Sequence, residues 1–261
     1  MPRVDAVPTQ LTAAQAASFF ALDQAKNVFP IYAALVSPDA MAGVAYGSES
    51  EPELVMLKAG ACGTETVHDN YLWVSPTVSK GAFEFVEVDD VPLYFDAEHA
   101  HYLRRRFGSQ YKFSMEKIYV NYGDEPLTGS GNHECLPQQL TADLLARVSV
   151  TDEFLDLVGT PANFPCTDRF FAHILDNELV AVTEAIVNTP SACALEQVYV
   201  AKNRRRLGHA RQLVQYVAGQ IIREGRMVVY RVQEENHASI QLVESLGFRL
   251  HSVVSLMSRV D

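Results

Sequence analysis

The stretch LEQVYVAKNRRRLGHARQL, residues 195–213, constrains this chain more than any other. It opens as a strand, passes through a short polar loop holding three consecutive arginines and Gly208, and continues with a helical rhythm. Ala210, Leu213, Val214, Val217, Ile221 and Ile222 recur at the spacing of one buried helix face. The first turn of such a helix presents unpaired N–H groups, and its dipole favours an anion there. Gly208 lets the backbone approach a ligand without a Cβ, and arginines add bidentate contacts to phosphate oxygens. The alternative is a solvated helix start with no ligand. The composition sharpens the contrast: 32 acidic against 21 basic residues give a formal charge of -11, so a basic cluster here is a local exception.

The remainder reads as mixed α and β. Residues 12–35 have helical character broken at Pro30, and AMAGVAYGS, PELVMLKAG and NYLWVSP read as short strands. Residues 96–108 read as a helix closed by Gly108, and 111–123 as a strand. GDEPLTGSGNHECLPQQL has no apolar period and marks a boundary, giving domains at 1–125 and 138–261. Beyond it, LTADLLARV and DEFLDLVG read as helices, FFAHILDNELVAVTEAIV as a hairpin turning at Asp176-Asn177, and CALEQVYV as a strand. Gly225 ends the amphipathic helix, RMVVYRV is a buried strand, Asn236 caps HASIQLVESL, and the chain finishes as strand. The expected class is α/β with an α+β mixed sheet.

Arg205-Arg206-Leu207-Gly208-His209-Ala210 fits R-x-x-G-x-A and resembles the acyl-CoA signature of the GNAT superfamily of N-acyltransferases. LEQVYV lies upstream, where that family has its splayed central strand, and NHASIQLVESLGF (236–248) resembles its last helix. The close resemblance covers roughly residues 138–261. It implies a GNAT fold in the C-terminal half, with acetyl-CoA as cosubstrate. The implied cofactor contacts are Val198, Tyr199 and Val200 on the strand, Arg205, Arg206, Leu207, Gly208, His209 and Ala210 in the loop, and Asn236 and Ser239 on the last helix. HYLRRRFGSQYKF is similar to the junction IQLVESLGFRLHS, so residues 1–125 resemble a degenerate GNAT-like lobe, as in two-lobed glycine N-acyltransferase-like enzymes.

Acyl transfer to an amine needs a base for the ammonium proton and help for the leaving thiolate. Glu196 is the candidate base. Strand alternation places it on one face with Val198 and Val200, opposite Gln197 and Tyr199; the plainer reading is a salt-bridged glutamate. Glu184 is a weaker candidate. Many relatives carry a tyrosine where this chain has Val243, so the acid falls to Tyr230 or Ser239, to no protein group, or catalysis is lost. The expected function is therefore N-acetyl transfer to a primary amine, small or on a protein, in a ternary complex. A non-catalytic acyl-CoA-binding module is the rival.

Other features point away from further chemistry. His99, His101, His133 and Cys135 lack completing ligands, so no metal is expected. Cys62, Cys135, Cys166 and Cys193 lie far apart and read as reduced thiols, with Cys193 a packed one. The acidic balance disfavours nucleic acid and anionic membranes. No apolar run approaches the ~20 residues of a membrane span, and MPRVDAVPTQ lacks a signal-peptide core, so a cytoplasmic protein is expected.

Overall fold

In the computed structural model the described residues are 8–36, 41–47, 52–59, 69–78, 80–86, 88, 91–124, 127, 136–164 and 170–260. Cys62, His133, Cys135 and Cys166 lie outside them. The elements run β1 (Thr9–Leu11), α1 (Ala13–Phe20), α2 (Val28–Val36), β2 (Met41–Gly47), β3 (Pro52–Ala59), β4 (Asn70–Val74), β5 (Leu93–Asp96), α3 (Ala100–Phe107) and β6 (Tyr111–Asn121). They continue with β7 (Gln138–Gln139), α4 (Ala142–Leu145), α5 (Asp152–Val158), β8 (Phe170–Leu175), β9 (Glu178–Asn188), β10 (Ala192–Val200), α6 (His209–Arg223), β11 (Met227–Gln233), α7 (His237–Ser245) and β12 (Arg249–Arg259). The chain forms two compact units: Met1–Ile118 with Gln233–Glu235 and Ser252–Asp261, and Tyr119–Val232 with Asn236–His251.

The first unit carries strands in the order β1-β2-β3-β4-β5-β12, antiparallel except for β4 beside β5. Thr12 closes a capping box with Gln15 at the start of α1. The helical segment breaks earlier than its proline suggests. α1 stops at Phe20, and residues 24–27 form turns. Pro30 sits in the first turn of α2, where its missing N–H leaves no helical bond unmade. Leu54, Met56, Phe83, Phe95 and Leu103 centre one core of this unit, and Phe20, Val55 and Leu57 another.

The second unit orders its strands β11-β10-β9-β8-β7, mixed in direction because β10 and β11 are parallel. Asp176 (φ +50°) and Asn177 (φ +64°) make the two-residue turn of the β8–β9 hairpin, as both positive φ values of a primed turn require. Alternation along β8 feeds two cores. Phe171 packs towards Leu213, Val217 and Ile221 of α6 and Val243 of α7. Phe170, Ala172 and Ile174 pack towards Leu145 of α4 and Phe154 and Val158 of α5. Helices thus cover both faces, which anchors α6 as a rigid mount for its own first turn.

Candidate functional site

The site grows from an irregularity in β10. Across β9, Glu196 faces Glu184 while Tyr199 faces Val182, so three steps on β10 oppose two on β9. The extra residue is a bulge centred on Gln197, whose φ is +51°. This corrects the simple alternation. Leu195 shares its core cluster with Val198 and Val200, whereas Tyr199 packs on the opposite side against Phe154. Glu196 consequently does not join Val198 and Val200, because the bulge shifts the phase by one residue between them. The bulge also coincides with a parting of strands. The β10–β11 ladder ends at Leu195 opposite Tyr230, while β10 stays paired with β9 as far as Val200.

Past that parting lies a cavity of about 470 Å³, lined from three directions. Val198, Tyr199 and Val200 supply the strand wall, Arg204–Arg206 with Gly208–Arg211 the loop and first turn of α6, and Asn236, Ala238, Ser239 and Leu242 the wall from α7. Among the residues singled out from sequence, Leu207 is 62% exposed and does not line it. Glu196 and Tyr230 do not line it either. Arg211, Ala238 and Leu242 line it without having been foreseen, and Arg204 joins Arg205 and Arg206 of the cluster that the sequence singled out. Arg211 had a legible signal: three residues after Gly208, it falls in the first helical turn.

The loop residues divide the labour. Gly208 caps α6 with φ +88°, the left-handed region that favours glycine, and a Cβ there would meet nothing within 4 Å. Gly208 lines the cavity together with the first turn of α6. His209 turns its ring inward, buried, with Nδ1 3.3 Å from Nδ1 of His173. Burial holds its pKa below the ordinary value, and Arg204 adds to the depression. The ring is thus kept neutral while its backbone N–H belongs to the helix start.

The three arginines are not equivalent. Arg204 is committed to Glu178 at 2.7 Å. Arg205 donates from Nε to the Val200 carbonyl and lies 5.6 Å over the Tyr199 ring. Arg206 is exposed with φ +66°. Arg211 is held by Ser245 through its hydroxyl (2.6 Å) and carbonyl (3.1 Å). Behind the strand wall, Glu153 accepts hydrogen bonds from Tyr199 and Lys202. The Lys202 bond, then that from Tyr199, holds the Glu153 carboxyl below its usual range, and the same contact pushes the Tyr199 phenol up.

Glu196 takes the salt-bridged form: its Oε1 accepts from Arg231 on β11 at 3.0 Å. Tyr230, beside Arg231, is 4% exposed and bonds through its hydroxyl to Ser239 Oγ at 2.7 Å. Burial pushes its pKa up. Asn236 accepts from the Ser239 backbone N–H, fixing the start of α7. Val243 is fully buried in the core that also holds Tyr230.

Residues 174–256 match the family of FR47-like proteins. No curated protein matches the sequence. Among solved structures, a Drosophila protein aligns over 98% of this chain and 99% of its own at TM-score 0.70 and 10% identity. A GCN5-related N-acetyltransferase from Sphaerobacter thermophilus aligns over 98% and 96% at TM-score 0.59 and 15% identity. The chain has the GNAT fold. A tandem GNAT protein from the clavulanic acid biosynthesis pathway aligns over 98% of both chains at TM-score 0.53 and 14% identity. At these identities the likeness concerns the fold. β10 parts from β11 after Leu195, where the sequence resemblance anticipates a splayed strand.

Outside the second unit, Asp96, Glu98 and His99 offer ligand atoms within 4.8 Å of one another. Protein partners already engage them: Asp96 pairs with Lys26 at 3.0 Å, and His99 with Glu98 at 3.3 Å. His101 Nδ1 lies 3.1 Å from the Glu98 carbonyl. Cys193 is fully buried. No helix among the described residues is long and apolar enough to cross a membrane.

Proposed function

We propose that this protein is an acyl-CoA-dependent N-acyltransferase that moves an acyl group, acetyl in the simplest case, to a primary amine. The observation that carries the reading is the cavity itself. One opening joins a strand edge released by a bulge, a helix start with an open left-handed glycine, and arginines on the approach. A ligand with an extended amide-bearing arm and a pyrophosphate needs those three features together: backbone to pair with the arm, N–H groups and positive charge for the phosphates.

On this reading Val198, Tyr199 and Val200 present backbone to the pantetheine arm. Arg205, Arg206, Gly208, His209 and Ala210 surround the pyrophosphate, with Leu207 turned to solvent, and Asn236 and Ser239 flank the arm from α7. Acyl-CoA would supply the activated thioester. The chain's residues hold it, bring an amine to the strand parting, and manage protons. Glu196 at that parting takes the ammonium proton, directly or through water, in a ternary complex. Arg231 keeps the carboxylate fixed while it does so. Tyr230 serves the leaving thiolate. Residues 138–261 form the catalytic domain and 1–125 a degenerate GNAT-like lobe. No metal is needed, the acceptor is a small-molecule or protein amine, and with a charge of -11 nucleic acid and anionic membranes are not partners. The protein works in the cytoplasm.

A second reading, a non-catalytic acyl-CoA-binding module, draws on the Glu196–Arg231 ion pair and on the buried valine at 243. Thiol release separates the two. Acetyl-CoA incubated with polyamines, amino sugars and lysine peptides yields free thiol above the amine-free rate if the first reading holds. CoA binding with no thiol release under any acceptor supports the second.

A further inference from the structure

Two cavity-lining residues carry hydroxyls, Tyr199 and Ser239. The Tyr199 hydroxyl is donated to Glu153, behind the strand wall. Ser239 differs. It is half-buried in the first turn of α7, and its Oγ lies 2.7 Å from the Tyr230 hydroxyl. The direction of that hydrogen bond follows from burial. Tyr230 is 4% exposed, and Ser239 Oγ is the hydrogen-bond partner of its hydroxyl among the described residues. A buried phenolic proton left unbonded costs about 1–3 kcal/mol, so the phenol donates and the serine oxygen accepts. The serine's own proton is then left to point elsewhere, and the open side of Ser239 is the cavity.

We propose that Ser239 is the hydrogen-bond donor to the sulfur that leaves in this reaction, and that Tyr230 is the positioning residue that orients and polarises it. The inference rests on the acyl-CoA reading and deepens it at one atom. The tyrosine's contribution reaches the cavity from strand β11 through a serine, rather than from α7 itself, where position 243 holds a buried valine. The two hydroxyls form a chain, and a donor that is itself accepting a hydrogen bond donates more strongly. Burial keeps the phenol protonated, so the chain remains intact across the physiological range. As the carbon–sulfur bond breaks, its electron pair moves to sulfur, and the Ser239 hydroxyl stabilises the charge growing there. The thiolate departs as an anion and is protonated by solvent, with no proton taken from either residue.

The test uses the full-length protein with acetyl-CoA and whichever polyamine, amino sugar or lysine peptide gives the fastest thiol release. CoA affinity is measured in parallel by calorimetry. Ser239→Ala is expected to lower kcat roughly tenfold or more, with CoA affinity changed less than threefold, because the contact strengthens only as charge develops. Ser239→Thr, which keeps the hydroxyl, recovers most of that loss. Tyr230→Phe lowers kcat by a smaller factor, and the double variant is no slower than Ser239→Ala alone, since both act through one hydroxyl. The inference is overturned if Ser239→Ala keeps wild-type kcat, if its loss lies wholly in KM, or if the two losses multiply. Wild-type protein that binds no CoA overturns the parent reading and this one with it. Wild-type protein that binds CoA without turnover overturns the transferase reading as well, whereas an active wild type with an equally active Ser239→Ala variant overturns this inference alone.

Discussion

Gly208 offers the sharpest separation of folding from binding. Its φ of +88° lies in the region an L side chain enters at roughly 1–2 kcal/mol, yet an added Cβ would meet no atom within 4 Å. Gly208→Ala and Gly208→Glu should therefore lose a similar modest stability, since both incur the backbone term and the Cβ of each meets open space. Each kcal/mol lowers the melting temperature of a domain this size by roughly 2–4 °C. Their effects on CoA should differ. The alanine methyl occupies only the space over which the backbone must meet the pyrophosphate. The glutamate adds a negative charge, and two unit charges about 4 Å apart repel by about 1 kcal/mol in water and about 4 kcal/mol near a protein surface. That corresponds to an affinity loss of roughly 5- to 1,000-fold for Gly208→Glu. Thermal melts without ligand and calorimetry with CoA give both quantities. Similar stability with affinities ordered glycine, alanine, glutamate supports the cradle. Unchanged CoA affinity in a folded Gly208→Glu protein refutes it.

Other expectations concern single groups. Glu196→Gln keeps shape and the contact to Arg231 but accepts no proton, so turnover should fall by ~10²–10⁴ with CoA affinity little changed. The deficit should shrink as pH rises towards the amine's own pKa, and a deficit equal at every pH would remove the base role. His209 is neutral in the fold, with a pKa depressed below the ordinary 6.5. The unfolded chain thus binds the proton first, and stability falls as pH drops from about 6.5 to the depressed value, then levels as the folded form also protonates. Melts at pH 7.5 and 5.5 test this, and His209→Gln should flatten the difference. Replacing Arg204 by methionine breaks the ion pair with Glu178 but leaves Arg205 and Arg206 in place, so CoA affinity should drop less than in the Arg205→Met, Arg206→Met double variant. The opposite order would assign the phosphates to the wrong arginines.

The second unit was the more legible half, for a physical reason. The Asp176-Asn177 turn, Asn236 cap and α6 face are set by local rules of φ, capping and helical period, and each occurs where the sequence puts it. Pro30 misled because proline tolerates a first helical turn as well as it breaks a later one, and the chain offered no cue to tell them apart. The bulge at Gln197 was illegible, since glutamine has no preference for positive φ and only strand pairing imposes it. Missing it put Glu196 on the wrong face. The partnerships Glu196–Arg231, Tyr230–Ser239 and His173–His209 join residues 35, 9 and 36 positions apart. Such pairs follow from which strands and helices lie side by side, which no local pattern encodes.

The central claim is that the loop at Gly208 holds the phosphates of CoA, and thermal stability read against ligand tests it most directly. A ligand that binds only the folded protein stabilises it by mass action, about 2.7 kcal/mol at a hundredfold excess over its Kd. Acetyl-CoA and free CoA should both raise the melting temperature in a dose-dependent manner, by nearly equal amounts. Pantetheine, which has the arm but no phosphates, should do so poorly. No shift with millimolar acetyl-CoA, or an equal shift with pantetheine, would contradict the account.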